Sequence, residues 1–182
     1  MKQTKKNTLI AIFAAVIIVL QVAATFINFG GFPITLTLIP IIVAGAVYGP
    51  AIGTLMGIVF GLVVCVMVIT GADPSGAVLM SIHPFIINFT CILKGALCGL
   101  ASALVYKLLK DKNERLGIIL ASATAPIVNT GTLFICLILF FDSSFAAMLS
   151  AFMSINFFIE LLSNVLIAPG LLVLIHNWQN KV

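Results

Sequence analysis

Lys94 and Glu160 stand in the middle of apolar sequence, in "FTCILKGALCG" and "FFIELLSNVL". They are the formally charged side chains that lie well inside the long apolar runs of this chain. A charge at the centre of a membrane-spanning helix costs about 2.5–3.5 kcal/mol on insertion scales unless it is paired or hydrated. Two arrangements meet that cost. The two side chains form a buried structural ion pair, or at least one of them faces a water-accessible cavity and meets the polar groups of a ligand. More polar groups gather at similar depth. Asn156, Glu160, Ser163 and Asn164 recur at i, i+4, i+7 and i+8, which is one face of a helix. Asn88, Cys91 and Lys94 fall on adjoining turns of an earlier run, and Asn129 and Thr130 interrupt "ATAPIVNTGTLF". Pro126 has no N–H to give the carbonyl of Ser122, so one more acceptor is left there. For Asn129 alone, a helix–helix hydrogen bond is the simpler role. Together, amides, hydroxyls and one charge of each sign on three runs have the chemistry of a cavity for a small polar molecule. The candidate binding residues are Lys94, Asn129 and Thr130, with Asn88, Asn156, Glu160 and Asn164 behind them.

Other chemistries find no residues to carry them. The sequence has no HExxH, no GxSxG and no carboxylate cluster, and His83 and His176 lie far apart, so no catalytic set is assigned and the chain is not read as an enzyme. Cys65, Cys91, Cys98 and Cys136 all sit in apolar runs, with no CxxC and no neighbouring His. They read as small apolar fillers, without metal or disulfide.

The elements that must position these residues are membrane helices. Of 182 residues, 62% are hydrophobic and 8% charged, against about 25% charged in a soluble domain. The apolar residues fall in runs long enough to cross a bilayer. The expected fold is all-α, a compact bundle of six transmembrane helices in a single membrane domain over residues 1–182. The spans are expected at about 8–28, 34–48, 51–70, 84–109, 116–140 and 155–176. The basic N-terminus followed by an apolar run invites comparison with a signal peptide. The run from Leu9 to Ile27 exceeds a signal core of about 7–15 residues, so it reads as a retained first helix. "FGGFP" is a short turn, the stretch from Gly71 to His83 a polar loop, and "FDSSFAAMLSAFMS" a loop or an interfacial helix.

Lys2, Lys5, Lys6, Lys107, Lys110, Lys112, Arg115 and Lys181 lie at the N-terminus, around the fourth-to-fifth connection, or at the C-terminus. With six spans these three places share one face. The opposite loops carry Asp73 and Asp142 and no Lys or Arg. The positive-inside rule therefore places both termini in the cytoplasm. The net charge of +4 follows from the same asymmetry and does not suggest nucleic acid as a partner. Gly53, Gly57 and Gly61 repeat every four residues, as do Gly45 with Gly49 and Gly95 with Gly99. Such strips let helices pack closely in lipid. Ala11 and Ala15 form a small-residue strip on the first span, suited to docking another subunit.

Six short spans, that alanine strip, "LTLIPIIVAGAVYGPAIGTLMGIVFGL" and "APIVNTGTLF" resemble an S component of the energy-coupling factor (ECF) transporters, over nearly the whole chain. Within that family, "APIVNTG" is most similar to the pantothenate type. The resemblance implies a bacterial plasma-membrane protein that binds a water-soluble vitamin in an outward-facing cavity. It implies docking through Ala11 and Ala15 on a transmembrane T component, beside two ATP-binding cassette ATPases that use the ATP. The chain itself has no GxxxxGK[ST] motif and is expected to need no cofactor. For pantothenate, Lys94 is the expected partner of the carboxylate, and Asn129 and Thr130 of the amide and hydroxyls. The stretch from Gly71 to His83 would be the lid. The alternatives are an S component for another vitamin or precursor, or a scaffold subunit of the cell-wall machinery.

Overall fold

The apolar runs fold as helices whose outer faces stay apolar and whose polar residues turn inward. The computed structural model describes residues 2–24, 26, 28–29, 32–33 and 37–179. The long helices are α1 (Lys2–Ala24), α3 (Pro50–Ile69), α5 (Pro84–Leu109), α6 (Glu114–Phe140) and α7 (Ser143–Gln179). All five are long and apolar enough to cross a membrane. Large apolar side chains such as Phe85, Ile138 and Leu166 are exposed on them, while Gln21, Asn129, Asn156, Glu160 and Asn164 are buried. A soluble bundle has the opposite distribution.

The second expected span is shorter than a bilayer crossing. Its helix, α2 (Leu38–Tyr48), has 11 residues, about 16 Å at 1.5 Å per residue, against a hydrocarbon core of about 30 Å. Most of α2 is buried, so its apolarity serves packing inside the bundle. Residues 34–36, with which that span would begin, lie outside the described residues, as do Gly30 and Gly31 of the turn and Lys181. On either side of the two glycines, β1 (Asn28–Phe29) pairs antiparallel with β2 (Phe32–Pro33).

One stretch expected as a loop is helical, and the one expected as a loop or an interfacial helix is a helix. Within Gly71–His83 lies α4 (Pro74–Ile82). Asp73 Oδ1 accepts from the Gly76 N–H at 3.0 Å, and Pro74 occupies the first helical turn, where its missing N–H costs nothing. The 141–154 segment is helix from Ser143 onward and continues into the last span as the 37-residue α7. Asp142 caps its start through a 3.3 Å bond from the Ser144 N–H.

Glycine sets the centre of the bundle. A Cβ on Gly57 would collide with the carbonyl of Gly95, and a Cβ on Gly99 with that of Gly53. One on Gly61 would stand 2.5 Å from the Cys91 oxygen, and one on Gly45 would stand 2.8 Å from Ala103 Cβ. Thus α3 and α5 cross with backbone on backbone, as their four-residue glycine spacing predicts. Of the two glycines of the α2 repeat, Gly45 alone closes against both, since an added Cβ on Gly49 meets nothing within 4 Å. Gly49 makes the turn from α2 to α3 at φ 93°, a conformation L side chains rarely adopt. At the opposite end from α4, Glu114 joins three helices. Its Oε1 accepts from Tyr106 OH at 2.9 Å, and both its oxygens lie 3.0 Å from His176 Nε2.

Candidate functional site

Between the α3–α5 crossing and α4, the helices part around a cavity. It holds about 80 Å³, on a scale where one water needs about 10–15 Å³, so several waters or part of a small solute fit. Its apolar wall comes from Phe60, Val64 and Val68 of α3 and from Leu133 of α6. The polar wall is assembled from four helices and one helix cap. Lys94 comes from α5, Asn129 and Thr130 from α6, Asn156 and Glu160 from α7, Gln21 from α1, and Asp73 from the start of α4.

Each polar side chain has a local reason to be there. Lys94 precedes Gly95, so the turn that packs against Gly57 also carries the lysine to the cavity edge. Lys94 is half-buried, and among the described residues it has no hydrogen-bond or ion-pair partner. Asn129 lies within one turn of Pro126, inside α6. It is 5% exposed, and its Oδ1 has no partner. A buried acceptor left unpaired costs about 1–3 kcal/mol, and here it borders the cavity. Asn156 and Glu160 are one turn apart on α7, both buried. Asp73 contributes a carboxylate already engaged by the N-terminus of α4, where the helix dipole favours a negative charge.

The expected residues therefore divide. Lys94, Asn129, Thr130, Asn156 and Glu160 line one cavity. Asn88 and Asn164 do not. The amide of Asn88 turns back to its own helix, donating to the Pro84 carbonyl at 2.9 Å. The Asn164 amide, fully buried, donates to the Glu160 carbonyl at 2.7 Å. That bond fixes the turn carrying Glu160, so Asn164 supports the wall from behind. Ala11 and Ala15 lie away from the cavity on the exposed face of α1. Gln21 and Asp73 were not among the candidates. Gln21 is the polar interruption of the first apolar run, and Asp73 precedes Pro74 as a helix cap; both signals were open to sequence reading.

One ammonium, two carboxylates, three amides and one hydroxyl in an apolar frame can hold a small, multiply hydrogen-bonding solute. No histidine borders the cavity, and among the described residues no three His, Cys, Asp or Glu could hold a metal ion. Among known families, the model for "ECF transporter, substrate-specific component" matches residues 5–175. The chain is also 27% identical over 198 aligned positions to the pantothenic acid transporter PanT of Lactococcus lactis subsp. cremoris (strain MG1363), with both chains covered in full.

Proposed function

The chain belongs to the substrate-specific components of ECF transporters, multi-pass membrane proteins that are not enzymes, and from that premise we propose that it captures pantothenate. The observation that carries this reading is that Lys94, with no hydrogen-bond or ion-pair partner among the described residues, and the unsatisfied Asn129 Oδ1 share one cavity wall. Pantothenate has a carboxylate for the lysine, and an amide N–H and hydroxyls for the asparagine and Thr130. Full-length similarity to a pantothenic acid transporter supports the same choice. Glu160 accepts a ligand hydroxyl or balances Lys94 from behind. Helix α4, which brings Asp73, Gly76 and Leu79 to the cavity, is the lid.

The rest of the transport cycle follows from the family. Both termini face the cytoplasm, α2 serves as the short second of six passes, and the cavity opens outward. The setting is a bacterial plasma membrane. The exposed Ala11 and Ala15 dock on a T component, and two ATP-binding cassette subunits use the ATP; this chain needs no cofactor. Purified protein titrated with pantothenate by calorimetry tests the reading. Saturable binding at one site is expected, and no heat and no thermal stabilisation would overturn it. The presence of two carboxylates beside one lysine favours a second reading, a neutral or cationic vitamin. Mass spectrometry of the small molecules that co-purify with the chain separates the two.

A further inference from the structure

Gln21 is the polar side chain that α1 brings to the cavity wall. It is 3% exposed, and Thr37, fully buried, donates from Oγ1 to its Oε1 at 2.8 Å. Thr37 stands at the N-cap of α2, where a threonine hydroxyl ordinarily accepts from a helix N–H. Here it makes no cap bond; its hydroxyl is directed to Gln21 instead. With Oε1 taken, the free end of the amide is Nε2, which only donates. No acceptor among the described residues faces it. Elsewhere on the same wall the unsatisfied group of Asn129 is of the opposite kind, an oxygen that only accepts.

We propose that Gln21 is a ligand-contacting donor, oriented by Thr37, that recognises a carbonyl or hydroxyl oxygen of the bound molecule. Lys94 holds the anionic end, Gln21 donates to a neutral oxygen, and Asn129 accepts from an N–H or O–H. The bound molecule is therefore an acid that also carries an amide or several hydroxyls. A plain carboxylate of similar size leaves two buried polar groups unmatched and is rejected on that account. Thr37 is a positioning residue that acts through Gln21. The proposal rests on the cavity being the ligand site.

The test is pantothenate titration of the full-length chain in lipid nanodiscs, as wild type, Gln21→Leu, Thr37→Val and the double variant. Gln21→Leu should weaken binding about two- to tenfold, the effect of losing one hydrogen bond between neutral groups. Thr37→Val should weaken it less, and the double variant should bind no more weakly than Gln21→Leu, since neighbours acting through one group are not additive. Wild-type affinity in Gln21→Leu, or additive losses, would overturn the proposal. Labelling gives a readout independent of the substrate. With the four native cysteines replaced, Gln21→Cys should react with an impermeant thiol reagent. A failure to react overturns the proposal even if pantothenate binds. If wild type binds no pantothenate while Gln21→Cys reacts, the substrate assignment fails and the placement of Gln21 stands.

Discussion

Replacing Lys94 by Met removes the lone ammonium of the cavity wall while keeping the length of the chain. A charge-assisted hydrogen bond is worth about 1.5–3 kcal/mol, so the Kd for pantothenate should rise by more than about tenfold, read by calorimetry. Unchanged affinity would make the lysine structural. Asn129→Ala should weaken binding less, because it also removes the unpaired oxygen whose burial costs the empty protein. These residues were legible in the sequence because a lysine or an amide in apolar surroundings is conspicuous whatever the fold. Their neighbours were less so. Asn88 and Asn164 have the right spacing, but spacing gives a shared face, not a rotamer. Both amides turn to carbonyls four residues back on their own helices. The role of Gln21 depends on Thr37, 16 positions away, a distance no helical period can bridge.

The helices themselves follow from the apolar runs, and their departures from expectation follow from caps. Asp73-Pro74 and Asp142-Ser143 are helix-start signals; polar composition disguises the first as loop, so α4 was missed, while the start of α7 was left open between loop and helix and is helix. The second span reads as short from the sequence, but the burial of α2 was hidden for another reason: packing inside the bundle and contact with lipid select the same apolar residues. The glycine strips were legible as packing faces, and their partners are now specific enough to test. Gly57→Ala or Gly99→Ala drives a methyl into a backbone carbonyl. Overpacking of this kind costs about 1–3 kcal/mol, and the melting temperature in detergent should fall. Gly131→Ala and Gly170→Ala are internal controls. Nothing lies within 4 Å of an added Cβ at either, and alanine gains about 0.8–1 kcal/mol of helix propensity over glycine. Equal destabilisation at all four would contradict the packing described for α3 and α5.

At the scale of the molecule, orientation and docking are the open measurements. A cysteine at Asn113, in a chain cleared of its native four, should react with impermeant reagents from the cytoplasmic side. One at Ser75 should react from the outside, and the reverse pattern would invert the topology. Ala11→Trp with Ala15→Trp should abolish assembly with a T component, measured by co-purification, and leave pantothenate affinity intact. Both alanines are exposed on α1 and neither lines the cavity. The crossing of α3 and α5 also bears on how such a chain can change over generations. A clash between two side chains can be relieved by trimming either one. A clash between a new side chain and a carbonyl has no such second-site remedy, because the backbone opposite has nothing to trim. Gly53, Gly57, Gly95 and Gly99 should therefore tolerate no stepwise drift, while the cavity above them, lined mostly by side chains, is free to be rewritten for another solute.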